Sequence, residues 1–272
     1  AAGAAGTRRV AVSVRTDVAS LTSFISYDMA VVSSGVGSNL ATTGSVDVTV
    51  SGSGFGVVDR SVAASVGLTA CNSSGWTSES SVQSLVQPGV GGTRRLAVSV
   101  SQQVGTSTGV VSYSIPAVSS AVSSNVAATG QADVTVTGGS FGYASNYGVL
   151  VSLGGTLAEE CDWTADSALR CKTAGGMSGT RRVAVSVGVQ VGTSTAVASY
   201  DAPTATGADP TNVASVGYWK TTVVRGSGYS PGPAGAVASR VGGSAASHTG
   251  WSSDSSMTAR VADGVAVHGV LP

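Results

Sequence analysis

Val46, Val48 and Val50 alternate with Asp47 and Thr49, and Ala132, Val134 and Val136 alternate with Asp133 and Thr135. Successive side chains of a strand point to opposite faces, so each segment reads as an antiparallel strand with one buried and one wet face. A second pattern is Gly-Thr-Arg-Arg followed by an apolar run: Val10 to Val14, Leu96 to Val100, and Val183 to Val187. Each run passes through a Ser/Thr-rich turn into another apolar run ending at Tyr27, Tyr113 or Tyr200, the pattern of a β-hairpin.

These hairpin segments open at Gly6, Gly92 and Gly179, so the spacings are 86 and 87 residues. Other landmarks keep the period: Asn39, Asn125 and Asn212; Gly44, Gly130 and Gly217; Phe55, Phe141 and Tyr229; Trp76, Trp163 and Trp251. The alternating strands run into glycine-rich corners, Gly52-Ser53-Gly54-Phe55-Gly56, Gly138-Gly139-Ser140-Phe141-Gly142 and Gly226-Ser227-Gly228-Tyr229. There glycine supplies positive φ and the aromatic ring caps the core. A repeat of this length, with several short strands and one Trp, has the size of an immunoglobulin-like β-sandwich.

Composition agrees with an all-β array. Charged residues are 10% of the chain, and the 42% hydrophobic share is mostly Val and Ala. Val with abundant Ser and Thr favours strands, and the 38 glycines fall between the apolar runs. The charge balances, with 14 basic and 14 acidic residues, so no nucleic-acid partner is expected. No stretch approaches 18 consecutive apolar residues, so no membrane span is expected.

The Asn/Gly turns, Val-rich strands and Gly-x-Gly-Phe-Gly corners resemble the IPT/TIG family of immunoglobulin-like domains over essentially the whole chain. The third copy departs most, with Trp219, Lys220 and Thr221 in place of the Val/Asp alternation and Ser230-Pro231-Gly232-Pro233 after the corner. The resemblance implies tandem sandwiches in a linear array, with units at 28–113, 114–200 and 201–272. By that phasing residues 1–27 are the terminal hairpin of a preceding unit, and the third unit stops where its own hairpin should follow. Two expectations result. In one, the hairpin completes the third unit of a neighbouring copy, giving a head-to-tail homopolymer and an extracellular filament. Its assembly face is then Arg8, Arg9, Val10, Val12, Val14, Phe24 and Tyr27. In the other, the chain is an adhesive window of a longer covalent array, holding glycans or surface proteins through its loops, with Tyr143, Tyr147 and Tyr218 as aromatic candidates.

Cys161 and Cys171 flank Trp163 with nine residues between them, a spacing that suits a disulfide between neighbouring strands; two buried thiols are the other reading. Cys71 precedes Trp76 in the first unit, with Ser84 in the place of Cys171, and is expected as an unpaired thiol. Asn72-Ser73-Ser74 is a sequon, making Asn72 the N-glycosylation candidate. His248 and His268 lack clustered ligands and are expected in exposed loops, while Glu159, Glu160 and Asp162 read as a solvated acidic loop. No Gly-x-Gly-x-x-Gly cradle or Gly-x-Ser-x-Gly elbow is completed, so neither cofactor nor catalysis is expected. The Arg pairs are expected to protect sheet edges, with Arg9, Arg95 and Arg182 on the wet face beside Ala11 and Ser13 or their counterparts. The functional alternative pairs them with Asp47 or Asp133, or with acidic polysaccharide.

Overall fold

In the computed structural model of the chain the alternating runs are strands, 25 among the described residues, named β1 to β25 in chain order. The structure describes residues 7–37, 39–122, 125–144, 147–177, 179–213, 220–229 and 237–263.

The first unit is a sandwich of two sheets. One has the order β3 (Val31–Val36), β4 (Val46–Ser53), β8 (Ser81–Val86) and β7 (Ser73–Ser78). The other runs β10 (Gln103–Ser112), β9 (Thr93–Val100), β5 (Ala63–Val66) and β6 (Thr69–Ala70). The period-two pattern decides what fills the space between them. Val48, Val50, Val82 and Val86 come from one sheet, Val66, Leu96, Val98 and Val100 from the other, and all are buried around Phe55. Leu40 forms a parallel bridge to Tyr113, beyond the end of β10.

The second unit repeats the plan. β11 (Ala117–Val122), β13 (Asp133–Gly139), β17 (Ala168–Lys172) and β16 (Glu160–Ala165) face a sheet of β12 (Asn125–Val126), β19 (Gln190–Tyr200), β18 (Gly179–Val187), β14 (Leu150–Leu153) and β15 (Thr156–Leu157). Val134, Val136, Leu169, Val183, Val185 and Val187 are buried there around Phe141.

The third unit has one sheet of this type, β20 (Thr204–Asp209), β21 (Thr221–Ser227), β25 (Ser256–Arg260) and β24 (His248–Ser253). Among the described residues its second layer is the short pair β22 (Arg240–Val241) and β23 (Ser244–Ala245). Lys220, which breaks the Val/Asp alternation, is buried and its Nζ lies 2.6 Å from Asp263 Oδ1.

β1 (Thr7–Val14) and β2 (Asp17–Ser26) form a separate two-stranded sheet. Its pairing reproduces that of β9 with β10: Val14 faces Asp17 as Val100 faces Gln103, and the register slips between Arg8 and Val10 as it does on β10 between Ser107 and Val111.

Two side-chain devices recur in the complete units. The Trp76 indole donates to Gly56 O at 3.1 Å, and the Trp163 indole to Gly142 O at 3.2 Å, so each Trp clamps its own glycine corner. The Tyr113 hydroxyl donates to Gln87 O and the Tyr200 hydroxyl to Ala174 O, tying the last strand to the loop before the hairpin. Two glycines are dictated by space. A Cβ on Gly52 would lie 1.9 Å from Val31 O, and one on Gly89 would lie 2.5 Å from the Tyr113 ring.

Candidate functional site

Three places gather the residues with functional potential: the hairpin, the junction between the first two units, and one paired position shared by β7 with β8, β16 with β17 and β24 with β25.

On the hairpin, the residues equivalent to a sandwich core stand in solvent. Val12 is 60% exposed and Val14 is 68% exposed, whereas Val98 and Val100 at the same positions of β9 are 0% and 1% exposed. Val10 is half-buried, Arg8 and Arg9 are exposed, and Phe24 and Tyr27 are 72% and 38% exposed. Leu21 and Ile25 are also exposed, and both escaped the sequence reading of this face. Ile25 pairs with Arg8 as the fully buried Val111 pairs with Arg94, so a residue-by-residue alignment to β10 carries the signal that would have found it.

Arg9, Arg95 and Arg182 are exposed, while the first arginine of each later pair folds back on its own loop. Arg94 Nη2 donates back to Val90 O at 2.6 Å, and Arg181 Nη2 to Met177 O at 3.3 Å, each bracing the loop that enters its hairpin. Asp133 is taken by Arg170 at 2.9 Å on the neighbouring strand β17. Ala97, expected on a wet face, is 8% exposed, because β9 is flanked on both sides by β10 and β5 and its methyl is short.

The junction joins the loops at one end of the first unit to the corner of the second. Gln190 sits at the hairpin turn of the second unit; its Oε1 accepts from Gly91 N at 3.1 Å and its Nε2 donates to Tyr113 O at 3.3 Å. Thr42, 1% exposed, donates its hydroxyl to Asp166 Oδ1 at 2.5 Å. The same carboxylate accepts from the corner amides of Ser140 and Gly142, so Asp166 both caps its own corner and holds the neighbouring unit. Val90 of the first unit packs against the second unit's core. Beside these contacts lies a cleft of about 310 Å³, lined from the first unit by Val66, Leu68, Pro88, Arg94 and Tyr113 and from the second by Tyr147. Burial pushes the Tyr113 phenol up to about 12, with smaller contributions from Cys71 and Tyr147 in the same direction. Tyr143 is 58% exposed, and Tyr218 lies outside the described residues.

Cys161 and Cys171 face each other across β16 and β17 and are joined by a disulfide. Cys71 is a free, half-buried thiol whose pKa is raised by burial. It is not the counterpart of Cys161. Trp76 aligns with Trp163, which puts Ser74 opposite Ser84 where the second unit has its cysteine pair. Cys71 aligns instead with Ala158: Cys71 N donates to Ala64 O as Ala158 N donates to Val151 O. The sequon residue Asn72 is exposed in a bend before β7, and its side-chain oxygen accepts from Gln87 Nε2.

The remaining polar residues are held by the fold. His248 opens strand β24 opposite Arg260, exposed on a strand and not in a loop, because the outer strand of this sheet begins there. His268 lies outside the described residues. Glu160 and Asp162 are likewise on a strand, β16; Glu160 lies 3.7 Å from Lys172, and Glu159, just before it, accepts from Gln131 Nε2. Among the described residues no group of three or more His, Cys, Asp or Glu is placed to hold a metal ion. No helix among the described residues is long and apolar enough to cross a membrane.

Paired antiparallel sheets, glycine corners clamped by Trp and a hydrogen-bonded junction define a tandem immunoglobulin-like array. The chain belongs to the IPT/TIG domain family, whose model matches residues 30–115 and 116–200. IPT/TIG domains are typically non-enzymatic modules. No curated protein matches the chain. Solved structures similar to it include the full extracellular region of plexin A4, at 17% identity over 63% of this chain and 18% of that one with a TM-score of 0.33. Another is the surface glycan-binding protein PbSGBP-B from Prevotella bryantii, at 15% identity over 72% of this chain and 43% of that one with a TM-score of 0.40. A third is the I9–I11 tandem of titin, at 8% identity over 86% and 89% of the two chains with a TM-score of 0.28. The chain spans 18% and 21% of the length of the two plexin chains it matches.

Proposed function

We propose that the chain is a structural module of an extracellular or surface repeat protein, and that hairpin β1–β2 completes an open IPT/TIG sheet on a second copy. One contrast carries this reading: the core valines of β9 are inaccessible to solvent, while their counterparts Val12 and Val14 on β1 are more than half exposed. Fully burying a side chain of this size stabilises by roughly 1.5–3 kcal/mol, so a hairpin carrying several has a strong drive to be covered.

Among its described residues the third unit offers a matching surface. All six residues of β20 are exposed. Val224 is half-buried, where Val50 and Val136 are 0% and 1% exposed in the complete units. Among the described residues the buried Tyr229 hydroxyl has no hydrogen-bond partner, a costly state. A hairpin of one copy on the third unit of the next is a head-to-tail contact, which extends without closing. The disulfide at Cys161–Cys171 suits an oxidising, extracellular compartment.

Electron microscopy of the chain with and without residues 1–27 tests this function. Elongated assemblies are expected from the full chain and single particles from the shortened one. Identical assemblies from both contradict the reading.

A further inference from the structure

The cleft between the first and second units has a composition that the fold alone does not require. We propose that it binds an acidic saccharide, a sugar chain bearing ring carboxylates such as uronic acids. This site is independent of the hairpin and of how copies associate.

Arg94 supplies the charge. Its Nη2 is fixed by the bond to Val90 O at 2.6 Å, which anchors the guanidinium at the cleft while the exposed side chain keeps further N–H donors open. Every other residue lining the cleft is uncharged, so the local field is positive and attracts a carboxylate. Val66, Leu68, Pro88 and the Tyr147 ring give the cleft apolar and aromatic walls, and Thr69 adds a hydroxyl that can bond a sugar hydroxyl. Leu68 is 97% exposed at the rim. A bare inorganic anion satisfies the arginine and leaves these walls unused. A pyranose carboxylate offers a C–H face to Leu68, Pro88 and the Tyr147 ring and a charged edge to Arg94. The volume, about 310 Å³, is at the small end of ligand pockets and suits one or two sugar rings.

The repeat provides an internal comparison. At the corresponding positions of the second unit, Arg181 and Tyr200 replace Arg94 and Tyr113 in kind, and both make the same loop-bracing hydrogen bonds. Leu68 and Pro88, however, correspond to Gly155 and Gly175. The arginine and tyrosine therefore belong to the architecture of every complete unit. The two apolar side chains on the cleft wall belong to the first junction and have no counterpart in the repeated framework.

Calorimetric titration of the full chain with tetragalacturonic acid, a neutral galactan tetrasaccharide and sodium sulfate tests the proposal. Saturable binding of the acidic tetrasaccharide alone is expected. Leu68→Asp alters a side chain that the fold leaves in solvent and places a negative charge at the rim, so it is expected to weaken binding at least about tenfold without changing the circular dichroism spectrum. Arg94→Gln is expected to weaken it similarly, and Arg181→Gln to leave it unchanged. Four results overturn the proposal: no binding of the acidic tetrasaccharide, equal binding of the neutral one, equal competition by sulfate, or unaltered binding by folded Leu68→Asp protein.

Discussion

The hydroxyls of Ser74 and Ser84 lie 3.3 Å apart, on the paired strand positions that Cys161 and Cys171 occupy in the next unit. Ser74 Oγ also accepts from Ala64 N at 2.9 Å, so the first unit joins its two sheets at this point by hydrogen bonds. The third unit has Thr249 opposite Ala259, with Thr249 Oγ1 accepting from Ser239 N at 3.2 Å. One geometric site thus has three chemical solutions. Replacing both Cys161 and Cys171 by Ser should lower the stability of the second unit by about 2.5 kcal/mol, the loop-entropy contribution of a closed loop of this size. Calorimetric unfolding of the full chain should show one transition moving down while the others stay. A Ser74→Cys, Ser84→Cys pair should oxidise spontaneously and raise the first unit's transition.

The tie between Tyr113 and the loop at Gln87 predicts a pH effect. Burial raises the Tyr113 pKa to about 12, above the ordinary phenol value of 10.0. The folded state therefore holds this proton more tightly than the unfolded chain. The resulting stability is fully present below pH of about 10 and is lost as pH rises towards about 12. Thermal unfolding of the first unit should lose stability steeply across that window, and Tyr113→Phe should flatten the loss. A slope unchanged in the Phe variant would assign the effect to other groups.

Gly89→Ala should be far more disruptive than its chemistry suggests. The new Cβ meets the Tyr113 ring at 2.5 Å, and the ring is fixed by its hydroxyl bond. A loss of about 1–3 kcal/mol is expected, as for other overpacked sites. The double variant Gly89→Ala, Tyr113→Ala should lose less than the sum of the single changes, which urea unfolding measures.

Gln190 and Thr42 set the relation between the first two units. Gln190→Ala removes both bonds to the first unit, and Thr42→Ala removes the bond to Asp166. Each hydrogen bond contributes about 0.5–1.5 kcal/mol, so neither change should unfold a unit. Together they should broaden the distance distribution between spin labels placed on the two units. An unaltered distribution would mean that Val90 packing alone holds the junction.

Much of this arrangement was legible in the chain before its structure. The Val48 and Val50 alternation marked the buried face, and the recurring Trp and Gly corners marked the unit, because these features are local and repeat at nearly constant spacing. What escaped depended on contacts distant in sequence or on a local change of register. The Cys71 alignment failed because Cys71 lies five residues before Trp76 whereas Cys161 lies two before Trp163, so strand register, set by the Trp pair, makes Ser74 the equivalent of Cys161. The partners of Arg94 and Asp133 were missed for a different reason: a long side chain can fold back on its own loop, and a strand residue pairs across the sheet. The Thr42–Asp166 bond spans 124 residues and leaves no periodic trace.

Ala19 tests how closely the hairpin copies the complete units. It stands where they have Gly105 and Gly192, whose added Cβ atoms would lie 2.5 Å from Ala30 O and 1.8 Å from Pro116 O. A first strand completing a sandwich with β2 must therefore stand off from it. Ala19→Gly should strengthen association of copies about three- to tenfold, as read from concentration-dependent sedimentation, by permitting the close approach seen in the first two units.

Light scattering of the full chain against its Val12→Asp, Val14→Asp variant decides whether the exposed hairpin valines form an interface. The wild-type chain should show a mass that rises with concentration, and the variant should remain a monomer with unchanged unfolding of the first two units. A wild-type chain that stays monomeric at high concentration, or a variant that associates equally well, would show that these valines form no interface.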